Sequence, residues 1–536
     1  MKFDANQYRY PSQRTLVYGV RGMVATGSPL AAQAGLDILK RGGNAVDAAV
    51  AAAACLTVAE PTSNGIGGDA FALVWHGGKL HGLNASGCSP EAADAGSLIS
   101  SGMKALPKVG WYPVTVPGAP GAWAALSEKF GRLPLSEVME PAISYAERGC
   151  PVSPTVARMW SSAVKRYAKE CRGDEFRHWA DTFCIDGRAP FPGEIWSSPD
   201  HARTLAAIAD SRAEEFYRGR LAEAIGAFAG ECGAWLSPGD LAKFRPEWVE
   251  PISVNYRGYD VWEIPPNGQG IVALMALNIA KGFEFSDSRE YLETYHRLIE
   301  SMKLAFAEGR RKVADPRFMT ADAGELLSGA HADSMRAFIG ERAANPEDCR
   351  PGAGGTVYLA AADSDGCMVS MIQSNYMGFG SYLVVPHTGI ALHNRGNNFS
   401  LDPESPNFLE AGKKPYHTII PGFLTKDGEA VGPFGVMGGF MQPQGHLQVI
   451  TNLVDFGMNP QEALDAPRWQ WTGGLRVEME SGVPDHIALG LAERGHDVKT
   501  ARDTITFGRG EMIFRSEHGV LTGATEPRTD GCVAAW

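Results

Sequence analysis

Pro351-Gly352-Ala353-Gly354-Gly355-Thr356-Val357-Tyr358-Leu359-Ala360 is the stretch on which the fold turns. A flexible, glycine-rich segment stops at Thr356 and an apolar segment starts there. The pattern from Thr356 to Ala362, then Asp363-Ser364-Asp365-Gly366, then Cys367 to Asn375 predicts a β-hairpin with a DG-containing turn. A cut between Gly355 and Thr356 would make the threonine a new N-terminus, its hydroxyl within reach of its own α-amine. That amine, with an ordinary pKa of roughly 7.7–8.0, can act as a base near neutrality. A weakly nucleophilic hydroxyl needs such a base beside it.

Outward from this point, the chain mixes helix and strand signals along its length. Ser28 and Pro29 open a helix that runs over Leu30 to Arg41 and stops at Gly42-Gly43. Asn44 caps an Ala-rich helix over Ala45 to Val58, whose small side chains suit close packing on a sheet. Glu60 to Asp69 is a tight loop, and Ala70 to Trp75 a strand. A third helix covers Leu292 to Arg311, with Leu298, Ile299, Met302, Ala305 and Phe306 on one face. Glu341 to Gly355 is polar, with Pro and Gly, and predicts a surface linker. Short strands are expected near Tyr382–Val385 and Gly389–Leu392. Another ends at Gly435-Val436-Met437-Gly438-Gly439, before a helix from about Gln444 to Asp455.

The 536 residues carry a net charge of −12, with 44% hydrophobic residues, enough for a large core. The acidic balance argues against nucleic acid and anionic membranes as partners. No apolar run approaches the roughly 20 residues of a membrane span. The polar start Met1-Lys2-Phe3-Asp4-Ala5 lacks the apolar core of a secretory signal. The nine cysteines are scattered without CxxC pairs, so we expect reduced thiols in a cytoplasmic protein. GxSxG, HExxH and P-loop motifs are absent from the sequence, and neither a metal nor an organic cofactor is expected.

Further motifs occur in one order along the chain. They are Gly22-Met23-Val24-Ala25-Thr26, Leu36 to Ala49, Glu60-Pro61 followed by Gly65-Ile66-Gly67-Gly68, Val116-Pro117-Gly118, Asp315-Pro316, Asp455-Phe456-Gly457-Met458 and Ala466-Pro467-Arg468. With Gly355-Thr356, they make the chain resemble the γ-glutamyltransferase family of N-terminal-nucleophile hydrolases. The resemblance covers nearly the whole chain. Gly438 to His446 and Tyr416 to Pro421 resemble the branch with oxamate amidohydrolase and acylase-like members.

The resemblance implies an α+β fold, a four-layer αββα sandwich. It implies a precursor that cuts itself between Gly355 and Thr356. Residues 1–355 would form a large-subunit segment and 356–536 a small one, interlocked, and two such pairs would form a homodimer. Thr356 is then the nucleophile, Ser374 its hydroxyl partner, and Gly438 and Gly439 the oxyanion pair. Around the acyl group the sequence departs from true γ-glutamyltransferases. The arginine that binds the substrate carboxylate is missing near Ser86 or Cys88. Asn398 replaces an acidic residue, Tyr376 an asparagine, His417-Thr418 paired serines, and Arg395 a glutamine. The lid between Ser400 and Lys413 is shorter. The expected substrate is a small amide whose acyl group carries a carboxylate, bound by Arg395 with Tyr376, Asn398, His417 and Thr418 around it. The alternative is γ-glutamyl transfer to water, amino acids or peptides. Arg395→Ala is expected to weaken turnover and leave self-cleavage intact.

Overall fold

A computed structural model describes residues 14–346 and 354–536. Residues 347–353, part of the expected linker, lie outside the described residues. The hairpin that begins at Thr356 is present. Strand Gly355–Asp363 pairs antiparallel with Met368–Tyr376, with a register irregularity between Gly355 and Val357. The two strands lie at the centre of a seven-stranded antiparallel sheet. Gly22–Thr26 flanks one side and Asp69–His76 the other.

Period-two alternation carries the packing of this hairpin. Val357, Leu359 and Ala361 join one buried apolar cluster, with the helices Pro29–Lys40 and Ala45–Ala59. Tyr358, Ala360 and Ala362 point the other way and join a second cluster with Phe423, Met437 and Ile513. Those three residues belong to a second seven-stranded antiparallel sheet. It includes Gly422–Lys426, Glu429–Met437 and Arg509–Arg515. A third cluster joins Val261, Leu424, Phe434 and Val436 of that sheet to the helices Gly270–Ala280, Leu292–Lys312 and Met441–Val454. The hairpin therefore has apolar contacts on both faces, as suits a central strand pair.

The Ala-rich helix starts as the sequence predicts. Asn44 Oδ1 accepts from the Val46 and Asp47 amides, and Asp47 returns a bond to the Asn44 amide. Ser28 precedes Pro29 without a side-chain cap bond. The helix expected from Gln444 begins three residues earlier, at Met441, because Pro443 falls in its first turn, where no intrahelical donor is lost. The strands expected at Tyr382–Val385 and Gly389–Leu392 are corrected to an irregular loop. Only isolated bridges form there, Val384 with Ala391 and Leu392 with Gly67. Tyr382, His387 and Gly389 have φ of 62, 59 and 70°, a conformation that breaks a pleated strand. The apolar residues that suggested strands, Leu383, Val384 and Ile390, are buried in the helix-side cluster instead.

Every described cysteine is unpaired. No described helix is long and apolar enough to cross a membrane.

Candidate active site

The site forms where the first strand of the hairpin starts and the second ends. Gly355 lies opposite Tyr376 in the register, so it faces the end of its partner strand. Thr356 and Ser374 are both buried. Thr356 Oγ1 lies 2.7 Å from the Gly355 carbonyl oxygen and 3.2 Å from Ser374 Oγ. Ser374 Oγ lies 2.7 Å from the same carbonyl oxygen. The bond count at Ser374 is informative. Its oxygen accepts from the Tyr376 amide at 2.7 Å and from Arg395 Nη2 at 3.3 Å. Two N–H donors fill its two acceptor positions, so its own proton is directed at the Gly355 carbonyl.

Two residues outside the predicted set touch Thr356. Gln442 Nε2 donates to Thr356 Oγ1 at 3.4 Å, and Gln442 Oε1 accepts from the Ile420 amide at 2.9 Å. Arg509 donates to the Thr356 carbonyl at 3.3 Å, to Ser63 Oγ at 3.2 Å and to Glu60 Oε1 at 2.7 Å. Burial raises the Glu60 pKa, and the Arg509 charge opposes that shift. Gln442 lies inside the Gly438–His446 signature, so the sequence singles out the segment but not the side chain.

Gly438 and Gly439 close the strand Glu429–Met437 and precede the helix Met441–Val454. Their φ values, 139 and 61°, favour glycine at both positions. A Cβ on Gly354 would lie 3.1 Å from Gly439 Cα, so the pair lies against the segment leading into Gly355-Thr356. That position, at a helix N-terminus, suits an oxyanion.

Arg395 does not lie on an open surface. Its guanidinium is fully buried, with Nη1 on Thr418 Oγ1 at 2.6 Å, Nη2 on Ser374, and Cζ 4.5 Å from the Tyr376 ring centroid. Burial lowers its pKa to about 10, against the pull of Asp69, so it stays charged at neutral pH. Arg395 and Ser374 are thus directly bonded, so a change at one reaches the other.

Asp69, also absent from the predicted set, sits behind this group with its Oδ2 4.0 Å from Arg395 Nε. Burial pushes its pKa up to about 7, while Arg395 and the Gly118 and Gly87 amides pull it down. His417 Nε2 donates to Asp69 at 2.9 Å and its Nδ1 accepts from the Ile419 amide at 3.3 Å. Burial first, then Arg395 and His393, holds His417 well below its ordinary pKa, so the ring is neutral. His417 and Thr418 thereby contact the supports of the site.

Asn398 donates to the Tyr416 carbonyl at 3.1 Å. Asn398 and Tyr376 both line a cavity of about 530 Å³. Ser86 is tied to Asn84 at 2.7 Å, and Cys88 faces cavities shared with Lys414 and Glu247. Neither residue lines the Tyr376–Asn398 cavity. A second cavity, of about 610 Å³, has Gly355, Gly438, Phe440 and Trp471 in its wall.

Among the described residues, His296, Glu300 and His496 form the cluster of metal-ligating types. Lys303 Nζ lies 2.8 Å from Glu300 Oε1 and 3.3 Å from His496 Nδ1. This ammonium already supplies the positive charge a metal ion would bring.

Two hydroxyls thus meet one backbone carbonyl, at a glycine–threonine junction that opens a central strand. Comparison with known proteins places the chain in a family. The gamma-glutamyltranspeptidase family model matches residues 31–536. The chain is 37% identical over 525 residues to the glutathione hydrolase-like YwrD proenzyme of Bacillus subtilis (strain 168), covering 96% of this chain and 98% of that one. It is 34% identical over 537 residues to the oxamate amidohydrolase proenzyme of Klebsiella pneumoniae, covering 96% and 98%. The crystal structure of cephalosporin acylase from Bacillus halodurans superposes with a TM-score of 0.97 at 58% identity, over 100% of this chain and 99% of that one. The chain belongs to the γ-glutamyltranspeptidase family and is an amide-hydrolysing enzyme.

Proposed function

We propose that the protein is an autoprocessed amidohydrolase whose nucleophile is Thr356, on a four-layer αββα sandwich. The observation that carries this reading is the pair of hydroxyls, Thr356 Oγ1 and Ser374 Oγ, each 2.7 Å from the Gly355 carbonyl oxygen. In the precursor, the Thr356 oxygen bonds to the Gly355 carbonyl carbon, the C–N bond breaks, and the hydroxyl proton ends on the threonine nitrogen. Water then opens the ester, leaving a Gly355 carboxylate and a free Thr356 amine. Segments 1–355 and 356–536 remain interlocked. In the mature enzyme the amine serves as base, the same oxygen attacks a substrate amide, and the Gly438-Gly439 turn stabilises the oxyanion. We place the enzyme in the cytoplasm, on its scattered cysteines, all unpaired among the described residues.

The substrate is a small amide whose acyl group bears a carboxylate, in keeping with relatives named oxamate amidohydrolase and cephalosporin acylase. Transfer of a γ-glutamyl group is the second reading, favoured by the relative named glutathione hydrolase-like. Against it, a γ-glutamyl head carries an ammonium, and no carboxylate lines the cavity of Tyr376 and Asn398 among the described residues. The two are separated by comparing turnover of a γ-glutamyl anilide, with and without a dipeptide acceptor, against oxamate and dicarboxylic monoamides. Preference for the monoamides supports our reading. Preference for the anilide, raised by the acceptor, rejects it.

A further inference from the structure

Gln269 reaches the Gly438-Gly439 turn from 170 residues away. It is fully buried and immediately precedes the helix Gly270–Ala280. Its Nε2 donates to the Gly439 carbonyl at 2.9 Å and to the Thr418 carbonyl at 2.7 Å. Its Oε1 accepts from the Tyr416 hydroxyl at 3.3 Å. Both N–H groups of one primary amide are thus directed at backbone carbonyls of two separate segments. The backbone fixes where this side chain starts. The Gln269 amide donates to the His417 carbonyl at 2.9 Å, and the His417 amide to the Asn267 carbonyl at 2.9 Å. Gly268 pairs with His417 in an isolated parallel bridge.

A turn of two glycines needs such a tie. Gly438 and Gly439 both have positive φ, and glycine passes among backbone conformations with little resistance. The direction of their amides is then set by what grips the carbonyls beside them. The Gly438 carbonyl accepts from the Met441 amide at 3.0 Å, and the Gly439 carbonyl from the Gln442 amide at 3.2 Å, both within the turn itself. Gln269 grips the Gly439 carbonyl from outside it. The Gly438 and Gly439 amides have no acceptor among the described residues, which leaves them open to an oxyanion. At the other end of the tie, the Thr418 hydroxyl accepts from Arg395 Nη1 at 2.6 Å. One side-chain amide of segment 1–355 therefore joins two parts of the site that both belong to segment 356–536.

We infer that Gln269 is a positioning residue for acyl transfer, holding the Gly439 carbonyl so that the Gly438 and Gly439 amides stay aimed at the substrate oxyanion. This rests on the proposed chemistry at Thr356 and deepens it. An oxyanion forms when the acyl group goes onto Thr356 and again when water takes it off. A slack turn slows both steps, which lowers kcat and leaves KM nearly in place. Self-cleavage differs. In the uncut chain the Gly355 carbonyl oxygen bonds the hydroxyls of Thr356 and Ser374, and neither glycine amide donates to it among the described residues. Chain cutting therefore does not draw on Gln269 as turnover does.

The test is Gln269→Met, which keeps the reach of the side chain and removes both donors. Turnover is measured on glutaric acid mono-p-nitroanilide, and the cut at Gly355–Thr356 is followed by intact mass. The cut should proceed at close to the wild-type rate. In the cut protein kcat should fall about ten- to a hundredfold, short of the roughly 10²–10³ that follows loss of an oxyanion donor itself, with KM within about twofold. Gln269→Glu is the conservative partner. Its carboxyl keeps one donor when protonated, so its kcat should lie between those of the wild type and Gln269→Met, and its ratio to the wild type should rise as pH falls. Wild-type kcat in the cut Gln269→Met protein overturns the inference, as does an equal loss of cutting and turnover in a folded one. If thermal unfolding shows that Gln269→Met does not fold, wild-type kcat in Gln269→Glu overturns it instead. Hydrogen–deuterium exchange over residues 438–446 gives a readout apart from catalysis. The Met441 and Gln442 amides should exchange at least about fivefold faster in Gln269→Met. Unaltered exchange overturns the inference. Faster exchange in the variant of a protein whose wild type hydrolyses no amide would support the hold on the turn and strike the acyl-transfer reading alone.

Discussion

Ser374→Ala removes one oxygen and disturbs four contacts. The hydroxyl bonds the Gly355 carbonyl at 2.7 Å, accepts from the Tyr376 amide and Arg395 Nη2, and lies 3.2 Å from Thr356 Oγ1. During self-cleavage the Thr356 proton leaves with the attack, so Ser374 is the side-chain donor left on the developing oxyanion. Loss of one such donor slows acyl transfer by about 10²–10³. The variant also leaves two buried N–H groups without their acceptor, at about 1–3 kcal/mol each. We therefore expect a folded but less stable chain that cleaves at least about a hundredfold more slowly. Ser374→Thr restores the hydroxyl and should come within about tenfold of the wild type. The assay follows the intact chain and its two fragments by denaturing gel after purification, with thermal unfolding as the control for folding. A folded Ser374→Ala protein that cuts itself at the wild-type rate would refute the role assigned to this hydroxyl.

Other positions give distinct readouts. Asp69 titrates at about 7 in the folded chain, against 3.8 unfolded, so the folded state holds the extra proton between these values. Its contribution to stability therefore falls as pH rises from about 4 to 7, by at most on the order of 4 kcal/mol. Asp69→Asn should flatten this part of the profile. Identical urea midpoints against pH for both proteins would contradict it. Arg509→Leu strands the buried Glu60 carboxylate and should cost about 3–5 kcal/mol in thermal or urea unfolding. Glu60→Gln in the same background should recover part of the loss, and no recovery would argue against the ion pair as its cause. Gln442→Leu removes the donor on Thr356 Oγ1, a bond of about 0.5–1.5 kcal/mol, and should slow chain cleavage severalfold to about tenfold. An unaltered rate would show that the contact does not position the nucleophile.

The hairpin from Thr356 was legible because alternation and a DG turn are local signals, and both strands form as the residues predict. The Asn44 cap was legible for the same reason. The strands expected after Tyr382 failed because an apolar run can be buried in a loop as well as in a sheet. Left-handed residues, two of them not glycine, set the outcome there. Thr356 and Ser374 were singled out through the family resemblance, and the fold brings their hydroxyls to 3.2 Å. Arg395 was expected to face a substrate, but charge alone does not say which side of a wall a long side chain occupies. It lies behind Ser374, and its direct bond there argues against self-cleavage being independent of it. Asp69, Gln442 and Arg509 depend on contacts over long sequence separations, for which no local pattern exists.

The most direct measurement is intact-mass analysis of the purified wild-type protein beside Thr356→Ala. The wild type should resolve into two fragments, one ending at Gly355 and one beginning with a free-amine Thr356, and the variant should stay a single chain without turnover. An uncut wild type, or a variant that still cleaves at Gly355, would contradict the claim that Thr356 is the nucleophile.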